Sequence, residues 1–303
     1  MDGFFSLFGK SMKELGKSPI LLLAGLILGA LSLPLLAGYI GVQQMIRSAL
    51  VDFSQLVVPL LITPFITGGA LGYALEVREK GSSSLSTFFA SAKKSYPKLL
   101  ICGIIAFIVY YFLLTAIMVF VLAGTVDPFI GSMLGFLMLG LTFFVLMSIE
   151  FYDIDVVSKG SGIMAAFRNS MDFARKNLLT AAGFFIMAVV LKSLVQLPLS
   201  FGMAGAMISN ETYYNALMAM SNASANATNA TAANASVNMT TLLSMGNITL
   251  SPEALVVVGI FQMLIQGFVF ALLALFKANL YMVVRNRKKI TDFDYDFSDE
   301  ESP

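Results

Sequence analysis

Apolar positions in this chain fall into six long blocks, roughly 19–41, 55–75, 99–124, 129–149, 178–208 and 253–284. Each reaches the ~20 residues that a helix needs to cross a bilayer. None shows a continuous polar face, so the pattern predicts six transmembrane helices. The stretches before the odd-numbered blocks carry a different signal. Leu85, Phe88, Phe89, Ala92 and Tyr96 fall on one face of a helix, and Phe4, Phe8, Met12 and Leu15 do the same near the start. With a third stretch near 163–175, these predict interfacial helices on the inner leaflet, anchored by Phe8, Phe88 and Phe167.

The pattern repeats. Shifting the chain by 79 aligns residues 73–100 with 152–179 at nine identities in 28 positions, including Tyr73/Tyr152, Val77/Val156, Lys80/Lys159, Gly81/Gly160 and Ser91/Ser170. About two identities are expected from ordinary residue frequencies. Phe8 and Ser11 stand 80 residues before Phe88 and Ser91, and Tyr73, Tyr152 and Tyr281 end the even-numbered blocks. The expected fold is therefore all-α and integral to the membrane. Six transmembrane helices form three pseudo-repeats (about 1–75, 76–155 and 156–290), each preceded by a cytoplasmic interfacial amphipathic helix.

Charge sets the expected orientation. Sixteen of the 19 Lys and Arg lie on one side of this scheme and only Arg47 on the other, which predicts that both termini are cytoplasmic in a multi-pass cell-membrane protein. The first block exceeds a signal-peptide core and follows acidic Asp2 and Glu14, so it is expected to remain as an anchor. Residues 209–252 then face the exterior. All seven N-x-[ST] sequons, at Asn210, Asn222, Asn226, Asn229, Asn234, Asn238 and Asn247, lie in this loop, which has no Lys or Arg. Two readings are open: a biased linker that generates sequons by chance, and a disordered exterior loop that accepts N-glycans. The independent charge count favours the second. Residues 291–303, rich in acidic and aromatic side chains, are expected to form a disordered cytoplasmic tail.

Composition narrows the chemistry. The chain is 57% hydrophobic and 12% charged, with a net charge of +1, which offers nothing to nucleic acid. It has no histidine and a single cysteine, Cys102, so the usual general base and the His-paired nucleophiles are missing. No cofactor or metal site is expected, and the expected partners are membrane lipids and other membrane proteins. Polar residues inside spans are costly and therefore the first site candidates. Lys192 and Gln196 stand four apart in the fifth block, and Gln262 and Gln266 four apart in the sixth, at overlapping depths. They are read either as an interior polar site or as interhelical glue with Lys192 snorkelling outward. Pro59, Thr63 and Pro64 predict a broken second helix. Glu150, Asp153 and Asp155 end the fourth block, as a cation site or, the favoured reading, a solvated helix end.

The stretch DVVSKGSGIMAAFRNSMDFARKNLLTAAGFFI resembles the repeated element of a broad, poorly characterised group of prokaryotic six-span membrane proteins, many of them archaeal. That group includes the membrane region fused to some glycerophosphodiester phosphodiesterases. Lys159, Gly160, Ala165, Ala166 and Ser170 carry the resemblance, with Lys80, Gly81 and Ser91 fitting more weakly. The resemblance implies the six-span architecture. It implies no phosphodiesterase activity, since these 303 residues hold no soluble phosphodiesterase domain. The expected function is non-enzymatic: transport of a small or lipidic solute, or support of such a system. The alternatives are a structural or accessory envelope protein that senses or shapes the bilayer and, third, an intramembrane enzyme.

Overall fold

The computed structural model describes residues 3–31, 45–123, 128–198, 200–201 and 252–296, and among these every regular element is helical. The helices are α1 (Phe4–Leu15), α2 (Pro19–Leu31), α3 (Met45–Lys80), α4 (Leu85–Ala123), α5 (Pro128–Ile149), α6 (Tyr152–Lys159), α7 (Ile163–Lys176), α8 (Leu178–Leu194) and α9 (Pro252–Asp296). Four stretches, Val57–Lys80, Leu85–Phe120, Gly131–Lys159 and Val256–Arg285, are long and apolar enough to cross a membrane. The pairs α1–α2 and α7–α8 reach that length only together, bent by 91° and 107°, and bring the number of spans to as many as six. Of the sequon-bearing loop 209–252, residues 209–251 lie outside the described residues, and Pro252 begins α9.

Both bends have local causes. Between α1 and α2 the backbone turns at Gly16–Ser18, where the Ser18 hydroxyl donates to Glu14 O at 3.0 Å. Pro19 then opens α2, where its missing N–H costs nothing. Between α7 and α8, Asn177 leaves helical geometry (φ −128°, ψ 45°) while its side-chain amide donates to Phe173 O at 3.1 Å.

The second unit departs from expectation. The stretch 84–96 forms no separate flat helix; Leu85–Ala123 is one helix that runs through Pro97. The position matching Asn177 under the 79-residue shift is Lys98, which has no short amide to bond back, and its ammonium donates instead to Gly160 O. Phe88, Ala92 and Leu99 are buried along the same face of α4.

The three expected lipid anchors also point inward. Phe88 is buried, its ring filling the place of a side chain at Gly69, where an added Cβ would lie 2.7 Å away. Phe8 packs edge-on against Phe276 at 5.4 Å, and Phe167 meets Tyr152 at 5.1 Å. Exposed apolar side chains in these stretches include Phe5, Met12, Leu85, Phe89, Met164 and Met171, of which Met12, Leu85 and Phe89 lie on the expected faces. Two further expectations fail. α3 is unbroken through Pro59 and Pro64. Residues 291–296, placed in a disordered tail, continue α9, since no Gly or Pro lies between Arg285 and Asp296 to stop it.

α9 is the central helix and packs against α1, α2, α3 and α8. It meets α2 backbone to backbone: an added Cβ would lie 2.2 Å from Gly267 O at Gly25 and 2.5 Å from Met263 O at Gly29. This small-xxx-small spacing is the usual means of close helix approach in lipid. On α4 and α5, by contrast, Ile108, Phe112, Met118, Phe136 and Leu137 are exposed, an apolar surface suited to acyl chains rather than water.

Residues matched by the 79-residue shift hold matching geometry. Gly81 and Gly160 both take positive φ (78° and 67°), and their N–H groups donate to Val77 O and Val156 O at 2.9 Å. Each is a helix C-cap in the left-handed region that favours glycine. The recurrent serines also share an environment. Ser170 donates to Ser148 O at 2.6 Å and accepts from Phe151 N at 3.0 Å. Ser11 accepts from the Asn279 amide at 3.0 Å, and a Cβ on Gly72 would lie 2.2 Å from the Ser91 Cβ. Each serine therefore packs one or two residues before Tyr152, Tyr281 or Tyr73.

Candidate functional site

A cavity of about 730 Å³ opens between α3, α8, α9 and the α5–α6 junction. α3 contributes Thr63, Thr67 and Leu71, spaced by four residues and thus on one face. α8 contributes Phe184 and Lys192, with Gln196 just beyond its end. α9 contributes Gln262, Gln266 and Lys277. The four intramembrane candidates read from the sequence thus border one space.

The deep end of that space is charged. The Lys277 ammonium donates to Asp153 Oδ2 at 3.0 Å and to Glu150 O at 2.8 Å, and lies 3.2 Å from Glu150 Oε1. It also stands over the rings of Phe151 (5.9 Å) and Phe184 (5.6 Å). A buried ammonium is tolerated only when paired and hydrogen-bonded in this way. The acidic residues that close the fourth span are therefore not a solvated helix end. Glu150 and Asp153 turn into the cavity, whereas buried Asp155 faces away and binds Lys159 (2.6 Å), Asn169 (2.8 Å) and the Tyr281 hydroxyl (3.1 Å). Among the described residues no cluster of three or more His, Cys, Asp or Glu is arranged to hold a metal ion.

The other end carries amides and a second cation. Phe184 packs on Phe276 at 5.4 Å, which sets the register of α8 against α9. Lys192 stands eight residues past Phe184, ~12 Å along the helix, and Gln266 ten residues before Phe276, ~15 Å. Among the described residues Lys192 has no carboxylate within ion-pair distance. Gln262 is 6% exposed, and its side-chain oxygen has no hydrogen-bond partner there. Between the two ends the walls are apolar: Leu71, Val195, Val269, Phe270 and Leu273.

A second cavity of about 390 Å³ is lined by Pro59, Pro64, Leu99 and Phe107, among others. Thr63, Thr67 and Asp153 border both cavities. The prolines therefore matter for the site without breaking α3. Pro64 removes the donor that would bond Leu60 O, and Leu60 is part of the second cavity's wall.

Lys277 is the residue that sequence reasoning missed. It stands in the sixth apolar block, eight residues before the basic run that begins at Arg285, and was not set among the polar site candidates. The signal was nonetheless present, as an ionisable residue inside an apolar block calls for a named partner.

A family model described as a domain of unknown function (DUF7847) matches residues 5–282, which takes in every residue of the larger cavity. No curated protein and no solved structure matches the chain. From α1 to Met282, then, the chain is a member of the DUF7847 family.

Proposed function

We propose that this chain is a non-enzymatic, multi-pass cell-membrane protein whose interior cavity takes up a small or lipidic solute, to move it or to pass it to a transport system. One observation carries the reading: Lys192, Gln196, Gln262 and Gln266 share a single space with the Lys277–Glu150–Asp153 cluster. Polar groups of this cost are retained in apolar spans where they line a path or a site. The volume lies within the ~300–1,000 Å³ typical of ligand pockets. The resemblance to membrane regions fused to enzymes of glycerophosphodiesters fits a lipidic solute.

In this reading the basic ends of the helices face the cytoplasm, and loop 209–252 is an exterior, glycan-bearing coat. The chain is built of three units. The paired glycine caps and the three serine contacts support that view, with α1 closing onto α9 as α4 packs on α3 and α7 on α5. A second reading, an accessory protein that shapes or senses the bilayer, is favoured by the exposed Phe5 and Met164 on helices bent nearly at right angles to their partners.

Mass spectrometry of molecules retained by the protein in native-lipid nanodiscs separates the two. A compound enriched over bulk lipid should be present in the wild type and lost in Ala274→Phe, which fills the cavity between its two ends. A bulk-lipid profile identical in both proteins would refute solute binding and leave the accessory role.

A further inference from the structure

The two ends of the larger cavity differ in charge balance. At the deep end Lys277 is answered by two carboxylates, Glu150 and Asp153, so that end is closed to a further anion. Toward the far end Lys192 forms no ion pair among the described residues, although its charge still acts on Glu150 at longer range. On the same cavity's wall, the buried Gln262 presents an acceptor oxygen with no donor among the described residues. An ammonium that forms no ion pair and a buried acceptor that has no donor, among the described residues, suit a ligand group that is anionic and also carries a hydrogen-bond donor. From Gln262 to Lys277 the cavity follows fifteen residues of α9, ~22 Å, and past Gln266 its α9 wall is apolar at Val269, Phe270, Leu273 and Ala274. That shape suits one hydrocarbon chain lying along the helix, not a compact polar solute.

We infer that the cavity binds a single-chain anionic amphiphile with a hydroxyl-bearing head. Its charge rests on Lys192, a head-group hydroxyl donates to Gln262 Oε1, and its chain lies along Val269, Phe270 and Leu273. This inference rests on the solute-binding reading above and names the class of solute.

The test uses the full chain purified in a neutral maltoside detergent. The probes are lysophosphatidylglycerol, lysophosphatidylcholine of the same chain length, and inorganic phosphate. Binding is read by titration and by the shift in melting temperature. Lysophosphatidylglycerol should bind saturably and at least about tenfold more tightly than lysophosphatidylcholine, and phosphate should give no shift. Lys192→Gln should lower lysophosphatidylglycerol affinity about tenfold or more, the loss expected on removing one charge-assisted hydrogen bond. Lys192→Arg should restore most of it, and Gln262→Leu should weaken binding without changing the melting temperature of the ligand-free protein.

Equal binding of the two lysolipids, or no effect of Lys192→Gln, would overturn the anionic-head assignment while leaving the cavity as a binding site. Phosphate binding as tightly as lysophosphatidylglycerol would overturn the amphiphile and point to a free anion. If Ala274→Phe leaves the binding of both lysolipids unchanged, the cavity itself is not the site and the parent reading fails.

Discussion

Lys277 is held by two carboxylates, a backbone carbonyl and two aromatic faces, all from α8 and the α5–α6 junction. Removing one partner of a buried pair costs about 3–5 kcal/mol because the other charge is left unanswered. Lys277→Met should therefore lower the melting temperature in detergent strongly. The triple variant Lys277→Met/Glu150→Gln/Asp153→Asn, which removes all three charges, should recover part of the loss. Exposed Lys192, without an ion pair among the described residues, gives the contrast: Lys192→Met should leave the melting temperature unchanged or raise it, since a Lys in an apolar span costs about 2.5–3.5 kcal/mol. If Lys277→Met melts like Lys192→Met, the cluster does not tie α9 to the α5–α6 junction. The costly polar residues were visible at this scale, since each interrupts an apolar block. Their pairing was not, because Lys277 and Glu150 lie 127 residues apart.

Among the elements, the contact of α2 with α9 is the most exacting. A Cβ at Gly25 or Gly29 would collide with backbone atoms of α9, which cannot move aside as a flexible side chain does. Gly25→Ala and Gly29→Ala should each cost about 1–3 kcal/mol, the usual penalty of overpacking. Gly135 on α5 meets nothing within 4 Å, so Gly135→Ala should leave melting unchanged or raise it. Equal melting of Gly25→Ala and Gly135→Ala would show that α2 and α9 stand further apart than described. Element boundaries divide along the same line. The breaks at Gly16–Ser18 and Asn177 follow from local chemistry, whereas the continuity of α4 through Pro97 depends on packing against the glycines of α3.

For the whole molecule, the excess of Lys and Arg on one side predicts that both ends share a compartment opposite to residues 209–252. Cys102 is fully buried, so the native thiol should stay silent toward an impermeant reagent on intact cells. Cysteine introduced as Ala225→Cys should react, and Ser302→Cys should not. Reaction at Ser302→Cys but not at Ala225→Cys would invert the topology. The contact of α1 with α9 gives the bundle its closure, since Asn279 bonds both Ser11 (3.0 Å) and Glu14 (2.8 Å) from the opposite end of the chain.

The all-helical, apolar character of the chain, with four to six runs long enough to cross a membrane, was determined by the sequence itself. Covering a hydrocarbon core demands long apolar runs, and turns demand residues such as Gly160 and Asn177 that act on their own backbone. The four polar candidates were also legible, since a Lys or Gln in such a run stands out against its neighbours. Only the tertiary structure decided which way the side chains point. It turned Phe88 onto Gly69 and away from lipid, kept α3 whole through two prolines, and set Lys277 between Glu150 and Asp153. The physical reason is that contact between two helices depends on the rotation and vertical offset of each about its own axis. In spans that are apolar all round, no polar face specifies either quantity, so both are settled by where backbones can approach and where buried charges find partners.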